Sequence, residues 1–298
     1  RNRFLSGRID FNPQTNTKLK MSEYPLPSDL DSIIDLALTE DIGDGDITSL
    51  LIPADRSVKA HIICKENAIL CGTPWVSAVY KKIDNSIRIE WHFEEGTSVE
   101  VGDSVASITG QARTILTGER TALNFLQTLS GTATIVREYL IALEGTNTKL
   151  LDTRKTLPGL REAQKYAVRV AGGTNHRRGL YDAYLIKENH IKSCGSISKA
   201  LKEARRLMPD KFLEIEVRNI DEFKEALSLK PNMIMLDNFQ LSDMEKAVAI
   251  NSGTVKLEVS GGIDLDSLAN IARTGVDYIS IGALTKHCRA IDYSLLLT

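Results

Sequence analysis

The stretch that decides the fold is residues 212–237, which read FLEIEVRNIDEFKEALSLKPNMIMLD. It begins with a short apolar run, Phe212–Val217, and ends with a second one, Met233–Asp237. Between them, Ile220–Leu229 has the apolar spacing of an amphipathic helix. A strand, a helix and a strand of these lengths predict a βαβ unit, in which the two strands are parallel and the crossover is right-handed.

The same alternation continues on both sides of this unit, from Lys149 to near the end of the chain. Further apolar runs lie at Leu150–Thr153, Ala183–Lys187, Val255–Gly262 and Tyr278–Gly282, and further helical patterns at Ser196–Leu207, Leu241–Ile250 and Leu265–Thr274. At least six strand–helix units in about 150 residues predict an incomplete α/β barrel of six or seven strands. A doubly wound open sheet is the alternative.

The N-terminal half has a different character, because short strand-like runs replace the alternation. Glycines separate these runs, which lie at Val58–Cys64, Ala68–Cys71, Ile87–Phe93, Ser98–Val101 and Ser104–Gly110. A helix capped by Ser28 is expected near the start, and a long helical pattern covers Thr117–Leu143. We therefore expect an N-terminal α/β-sandwich domain, residues 21–130, followed by a barrel domain, residues 131–298.

Composition and charge restrict the classes of function. The net charge of −2 provides no overall field that would attract nucleic acid or a membrane surface. No apolar run reaches the roughly 18 residues of a transmembrane helix. The four cysteines are scattered without metal-binding spacing, as expected for a cytoplasmic protein. Residues 1–20 are polar, and we expect them to be a disordered or cloning-derived extension.

Charged residues stand where the apolar runs of the barrel half end. They are Arg154, Lys155, Lys187, Glu216 and Asp237, and about 21 to 32 residues separate successive strand ends. In a parallel barrel all these positions lie on the rim formed by the carboxyl ends of the strands, where barrel enzymes carry their active sites. One such charge is usually a loop charge or an ion pair, whereas a ring of them indicates a functional site.

Two glycine turns end the last two apolar runs, Ser260-Gly261-Gly262 and Ser280-Ile281-Gly282. Glycine allows backbone N–H groups to approach a phosphate, and the start of a following helix favours an anion. In barrels, the loops after the last two strands commonly bind phosphate. A close-packed helix start is the other interpretation of these turns.

A basic segment, Gly172–Leu180, lies between two apolar segments and contains His176 and Arg177. A guanidinium group binds a carboxylate or a phosphate through two parallel hydrogen bonds, so arginine beside histidine suits a dianion. A solvated basic loop is the alternative on composition alone.

Eight motifs follow one another along the chain. They are Glu40–Thr48, Gly118–Asn124, Asp152–Thr156, Gly173–Arg177, Leu185–His190, Glu214–Val217, Ile234–Asn238 and Glu258–Gly262. Together they resemble the quinolinate phosphoribosyltransferase family (nicotinate-nucleotide pyrophosphorylase, carboxylating). The resemblance covers about residues 25–297 and leaves only the N-terminal extension unmatched.

The resemblance implies that quinolinate and 5-phosphoribosyl-1-pyrophosphate give nicotinate mononucleotide, pyrophosphate and CO2, in the synthesis of NAD. It implies Mg2+ at Glu216 and Asp237, whose oxygens are hard ligands. It gives catalytic roles to these two residues and to Lys155 and Lys187. The implied substrate-binding set is Arg120, Thr153, Arg154, Lys155, His176, Arg177, Lys187, Glu216, Asp237, Ser260, Gly261, Gly262, Ser280, Ile281 and Gly282.

Within this set, the resemblance assigns Arg154, His176, Arg177 and Lys187 to the two carboxylates of quinolinate. Arg120, on the long helix, would reach the site from a second subunit. The implied assembly is therefore a homodimer or a larger assembly of dimers. The N-terminal domain would form the dimer contact and a lid over the site, and would take back the C-terminal tail.

Three other functions agree with parts of the sequence. A related phosphoribosyltransferase acting on nicotinate or another acid is the main alternative, but one carboxylate would need fewer cations. Lys187 at a strand end is also compatible with a Schiff-base lyase. Residues 94–103 resemble the turn of lipoyl and biotinyl carrier domains, although no lysine stands at a hairpin tip there.

Overall fold

The computed structural model describes residues 25–298, and one continuous hydrophobic core runs through them. The extension expected at residues 1–20 lies outside the described residues. Within the described part of the chain, no helix is long and apolar enough to cross a membrane.

The N-terminal part combines antiparallel strands with two helices. Its elements are α1 (Leu30–Ile42), β1 (Ser57–Cys64), β2 (Ala68–Ile69), α2 (Thr73–Ile83), β3 (Arg88–Trp91), β4 (Ser98–Val99) and β5 (Ser104–Gln111). Strand β5 pairs with β1 on one side and β3 on the other, and β2 pairs with β4. Burial alternates along β1, where Ala60, Ile62 and Cys64 are buried, because one face of the sheet packs on the helices.

A helix of 30 residues, α3 (Ala112–Ile141), belongs to both halves of the molecule. It packs against α2 on the N-terminal side and against α4 (Arg161–Val170) on the barrel side. The domain boundary expected at residue 130 therefore falls inside one continuous helix. At the adjacent Gly131 the helix approaches the C-terminal segment so closely that a Cβ would overlap the carbonyl oxygen of Arg289.

The barrel wall consists of six parallel strands. They are β6 (Lys149–Leu151), β7 (Ala183–Ile186), β8 (Phe212–Val217), β9 (Met233–Asp237), β10 (Lys256–Ser260) and β11 (Tyr278–Ser280). The helices that follow are α5 (Glu188–Cys194), α6 (Ile197–Leu207), α7 (Ile220–Ser228), α8 (Leu241–Asn251), α9 (Leu265–Arg273) and α10 (Ala283–Lys286).

The order of the strands shows that the sheet curls into a barrel. It is β6-β11-β10-β9-β8-β7, so the last strand of the wall pairs with the first. A doubly wound sheet instead reverses direction at its middle. The wall stays open between β6 and β7, where Thr174 extends the β6 edge by a single parallel bridge to Leu151. The incomplete α/β barrel predicted from the sequence is confirmed.

The last strand, β12 (Tyr293–Leu297), leaves the barrel and pairs antiparallel with β1. The N-terminal sheet therefore has the order β12-β1-β5-β3. The carrier-like turn around Gly96 lies against Val170 of α4 and is not a free hairpin tip.

Several local expectations differ from the structure. Helix α1 begins at Leu30 with Asp29 at the cap position, so the expected cap by Ser28 is wrong. Helix α2 lies between two expected strands, in a region to which the sequence analysis assigned no element, although its buried residues Trp75, Val76 and Val79 have helical spacing. Helix α4 was not predicted, since its buried positions include Gln164 and Lys165.

The close contact of Gly131 with the C-terminal segment predicts that adding one methyl group at this position lowers the stability of the protein. In Gly131→Ala, the added Cβ collides with backbone, which moves less easily than a side chain, so the free energy of unfolding falls by about 1–3 kcal/mol. Urea denaturation measures this loss. Asn124→Ala, at an exposed position of the same helix, is the control and changes stability little. Equal stabilities of the two variants would contradict the close approach.

Candidate active site

The carboxyl ends of the barrel strands place the predicted residues on one rim. Asp237 at the end of β9 lies in register with Ser260 at the end of β10. Ser280 at the end of β11 lies in register with Leu151 of β6, directly before the segment that contains Arg154. Neighbouring strands thus carry the acidic residues, the glycine turns and the basic residues along a continuous edge.

An ion pair marks the acidic part of this rim. Nζ of Lys187, directly after β7, lies 2.8 Å from Oε2 of Glu216 on β8. The Glu216 side chain is 10% exposed and that of Lys187 49%, so the lysine covers a largely buried carboxylate. Asp237 on the next strand is half-buried, and the amide of Asn238 donates a hydrogen bond to its Oδ2 at 2.9 Å.

Two guanidinium groups mark the basic part. Arg154 follows β6 and Arg177 precedes β7, across the open side of the barrel wall. Burial lowers the pKa of Arg177, and the nearby charge of Arg154 lowers it further. Among the described residues, Nε of each arginine has no hydrogen-bond partner although it is buried. Two cationic groups held together with open donors are suited to an anion with two acidic groups.

The glycine turns lie between these two parts. Gly261 has a φ of +100°, and a Cβ there would overlap the side chain of Asn238. A Cβ on Gly282 would lie 2.8 Å from Cδ of Lys155, so this lysine crosses directly over the turn after β11. Both turns therefore require glycine, because a Cβ at either position would collide with the neighbouring side chain.

One detail of the glycine turns differs from the expectation that each opens directly into a helix. Helix α9 begins at Leu265, three residues beyond Gly262, and the Asp264 side chain accepts a hydrogen bond from the backbone N–H of Ser267. The first turn of α9 is therefore already capped by a carboxylate. Only the second turn, at Gly282, leads immediately into its helix, α10.

His176 points into the barrel and not out of its rim. Its Nε2 lies 2.9 Å from Oε2 of Glu214 and 3.3 Å from Oε2 of Glu258, and all three side chains are at least nine-tenths buried. Its Nδ1 accepts a hydrogen bond of 2.7 Å from the backbone N–H of Arg177. These three residues are grouped closely enough to hold a metal ion. However, a neutral ring that accepts at Nδ1 carries its hydrogen on Nε2, and a protonated ring carries hydrogen on both nitrogens, so Nε2 has no free lone pair for a metal in either form.

Electrostatics at this His176–Glu214–Glu258 cluster is dominated by two buried carboxylates. Burial and the charge of Glu258 raise the pKa of Glu214 to about 7. Burial alone would lower the pKa of His176, but the hydrogen bonds and charges of the two glutamates raise it to about 10. The amide of Arg177 opposes protonation at Nδ1. Two carboxylates outweigh one amide, so the net shift of the His176 pKa is upward.

A second buried cluster, which the sequence did not single out, lies below Arg154. Asp152 and Lys165 form an ion pair of 2.5 Å, and both side chains are 0% exposed. Burial raises the pKa of Asp152 and lowers that of Lys165, because each charged form has lost its water. The sequence feature that could have revealed this pair is an acidic residue at a strand end, Asp152, followed by a lysine, Lys165, on the apolar face of the next helix.

Arg120 is the predicted residue that the single chain does not bring to the rim. It is exposed on α3, and it forms no hydrogen bond or ion pair with any described rim residue. The remaining predicted residues, except the inward-pointing His176, lie at the rim described above.

The fold and the site define a class of protein, a parallel α/β barrel whose rim at the carboxyl ends of the strands carries acidic and basic side chains. Two family models match the chain: quinolinate phosphoribosyl transferase, N-terminal domain, over residues 46–130, and quinolinate phosphoribosyl transferase, C-terminal domain, over residues 132–296. These matches cover most of the chain, so it belongs to the quinolinate phosphoribosyltransferase family.

Similar proteins agree with this assignment. The chain is 40% identical over 260 residues to a probable nicotinate-nucleotide pyrophosphorylase [carboxylating] of Bacillus subtilis, which covers 87% of this chain and 90% of the relative. It is 37% identical to a mitochondrial quinolinate phosphoribosyltransferase [decarboxylating] of Nicotiana tabacum, over 94% of this chain and 86% of the relative. The solved nicotinate-nucleotide pyrophosphorylase of Francisella tularensis has a TM-score of 0.88 and 47% identity, covering 92% of this chain and 98% of that one.

The raised pKa of His176 predicts how stability depends on pH. The stabilisation from protonated His176 is present in full below about 6.5 and is lost as the pH rises toward about 10. The difference in free energy of unfolding between wild type and His176→Asn is therefore larger at pH 6.5 than at pH 9.5, by on the order of 1–3 kcal/mol. Urea denaturation at both pH values measures it.

The control for this pH dependence is His287→Asn, which removes an exposed histidine that contacts Lys286 and forms no ion pair with a carboxylate among the described residues. A His176→Asn difference that stays constant between the two pH values would show that Glu214 and Glu258 do not stabilise a protonated ring.

Proposed function

We propose that this chain converts quinolinate and 5-phosphoribosyl-1-pyrophosphate into nicotinate mononucleotide, pyrophosphate and CO2, a step in NAD synthesis. The observation that carries the proposal is the pair Arg154 and Arg177, two adjacent cations at the rim of the barrel whose buried Nε donors have no hydrogen-bond partner among the described residues. The names of the relatives support the choice of substrate. Nicotinate has one carboxylate, and it would leave one of these cations without a partner.

Quinolinate carries carboxylates on two neighbouring ring carbons. We assign them to Arg154 and Arg177, with Lys187 at the edge of the same subsite and His176 bordering it from inside the barrel. Bidentate contacts from guanidinium groups fix the plane of the ring as well as its charge. The ring nitrogen is then held toward the acidic part of the rim.

The ribose and its magnesium ion are assigned to Glu216 and Asp237. These residues fit a hard cation, because both offer carboxylate oxygens from adjacent parallel strands on the same rim. Mg2+ bound there would neutralise charge on the pyrophosphate as it leaves. The carboxylates themselves stabilise positive charge that develops at C1′ of the ribose. Lys187, paired with Glu216 in the described structure, then shares this carboxylate with the substrate.

The phosphate groups are assigned to the remaining rim. The backbone of Ser260, Gly261 and Gly262 and that of Ser280, Ile281 and Gly282 form the subsite for the 5′-phosphate. Lys155, whose side chain crosses over Gly282 beside the hydroxyl of Thr153, is assigned to neutralise the departing pyrophosphate. Thr153 also accepts a hydrogen bond from the Lys155 amide at 3.0 Å, which orders this turn.

The reaction that follows from these assignments has two stages. The ring nitrogen forms a bond to C1′ while the bond from C1′ to the pyrophosphate oxygen breaks. The nitrogen is then cationic, so the adjacent carboxylate leaves as CO2, its bonding electron pair stays on the ring carbon, and a proton is taken up there. Lys187 as a Schiff-base nucleophile would instead need a free amine, whereas its Nζ donates to Glu216.

We also infer a homodimer, or a larger assembly of dimers, in which the partner's copy of the exposed Arg120 completes the quinolinate subsite. The exposure of Arg120 supports this proposal. A cytoplasmic location is inferred as well, supported by four cysteines that are all free.

The function is tested by an assay for the release of pyrophosphate and CO2. We expect release that depends on quinolinate, phosphoribosyl pyrophosphate and Mg2+, and no release of pyrophosphate with nicotinate in place of quinolinate. Activity on nicotinate alone would overturn the choice of substrate.

Arg154→Lys sharpens this assay, because lysine keeps the charge but loses the two parallel hydrogen bonds. We expect kcat/KM for quinolinate to fall by roughly 10- to 100-fold, the equivalent of about 1.5–3 kcal/mol for a hydrogen bond to a charged group. Arg273→Lys, at an exposed position of α9, is the matched control and keeps wild-type activity.

The shared site predicts complementation between two inactive chains. Arg120→Ala and Lys187→Ala each abolish activity, but mixed dimers contain one site with neither substitution. Refolding the two variants together should therefore restore roughly a quarter of wild-type activity, on the statistics of random pairing with one intact site of two in half the dimers. Mixed dimers that form, as shown by differently tagged chains, yet stay inactive would rule out the shared arginine.

A further inference from the structure

The buried ion pair Asp152–Lys165 connects two elements beneath the basic part of the rim. Asp152 follows β6 directly, and Lys165 lies in the middle of α4. Their charged groups are 2.5 Å apart, and neither side chain is exposed. A substrate at the rim therefore cannot touch this pair, and any effect on the reaction must pass through other residues.

The pair holds one short segment in place through four hydrogen bonds. Oδ1 of Asp152 accepts from the backbone N–H of His176 at 2.8 Å, and its Oδ2 accepts from the Asn175 amide at 2.7 Å. Nζ of Lys165 donates to the carbonyl oxygen of His176 at 3.1 Å, and its own carbonyl accepts from Asn175 at 2.9 Å. All four bonds reach the two residues that directly precede Arg177.

Residues 171–182 contain no helix or strand, so side-chain contacts and single backbone hydrogen bonds hold this segment. Thr174 bonds to the β6 edge, Arg169 donates to the Asn175 side chain, and the His176 ring lies against Glu214 and Glu258. Among the contacts of this segment, the Asp152–Lys165 pair is the one that binds the backbone N–H and carbonyl of His176. The segment must nevertheless hold Arg177 close to Arg154, although the two guanidinium groups repel each other. A force that keeps the segment in one position is therefore required, and the Asp152–Lys165 pair supplies hydrogen bonds at its base.

Stability alone does not account for such a pair. Replacing a buried ion pair by apolar side chains of similar size is often neutral or stabilising, because both charges lose their hydration. What an apolar pair does not provide is directed hydrogen bonds to specific backbone groups. The presence of a buried ion pair here is therefore better explained by the need to hold residues 175–176 in one position than by a gain in stability.

We propose that Asp152 and Lys165 are positioning residues for the quinolinate subsite, which hold the backbone at His176 so that the guanidinium group of Arg177 stays beside that of Arg154. This inference rests on the proposed function of the site. It assigns the pair to quinolinate binding and not to the phosphoribosyl part, because none of its hydrogen bonds reaches Glu216, Asp237 or the glycine turns.

The test separates position from stability by means of three variants. Asp152→Asn removes one charge and leaves the lysine unpaired, so we expect a lower Tm and a KM for quinolinate raised at least tenfold. Asp152→Asn/Lys165→Met removes both charges, so the Tm should recover toward wild type. Its KM for quinolinate should stay raised, because asparagine has one acceptor oxygen in place of two and cannot accept from both the His176 N–H and the Asn175 amide. Lys165→Met is the second single variant, which completes the double-mutant cycle.

Binding of phosphoribosyl pyrophosphate with Mg2+, measured by calorimetry, provides the second readout. Its Kd should change less than threefold in the double variant. The matched control is Asn251→Ala, because Asn251 is also buried and also holds a loop, through its two hydrogen bonds with Val255 at the opposite end of the barrel. It should lower the Tm without changing the KM for quinolinate.

Two outcomes would overturn the positioning role. One is a double variant in which the KM for quinolinate recovers together with the Tm, as expected of a purely structural pair. The other is an equal rise in the KM for quinolinate and the Kd for phosphoribosyl pyrophosphate, which would indicate general distortion of the rim. A wild-type protein that does not turn over quinolinate would instead refute the proposed function.

Discussion

Parallel pairing between β11 and β6 is the constraint on which the rest of the structure depends. Ser280 lies in register with Leu151, so the last strand of the wall returns to the first. The hydroxyl of Thr285 consequently donates to the carbonyl of Lys155 at 2.7 Å, across 130 residues of sequence. The two strands are neighbours in space but far apart along the chain. Their pairing joins the basic segment after β6 to the glycine turn after β11. Without it, the rim would be the edge of an open sheet.

Beneath the rim, the barrel interior contains buried ionisable side chains. The His176–Glu214–Glu258 cluster and the Asp152–Lys165 pair together bury five ionisable side chains. Both act on the same short segment, one through the His176 ring and the other through the backbone beside it. Burial of charge is unfavourable unless each group has partners, and the partners fix geometry as they compensate for lost water. The interior thus limits the conformations available to the residues at the rim.

Much of this arrangement is visible in the sequence. Parallel strands bury both faces, so β9 appears as a continuous apolar run, and its first polar residue, Asp237, marks the carboxyl end. Alternation in β8 also places Glu214 and Glu216 on the same side of the strand, one below the other. Helices with a single buried stripe, such as α6, have equally clear periodicity. Helix α4 does not, because Lys165 lies among its buried residues and resembles a solvent-facing position.

The sequence by itself determined the order of the six wall strands and of helices α6 to α9, and the identity of the residues at the strand ends, since periodicity and strand termini are local properties of the chain. The tertiary structure alone decided that His176 faces inward to two glutamates and that Asp152 pairs with Lys165. These contacts join residues from separate strands and helices, and a charged residue has the same local pattern whether it meets water or a buried partner. Only the packing of the elements determines which of the two it meets.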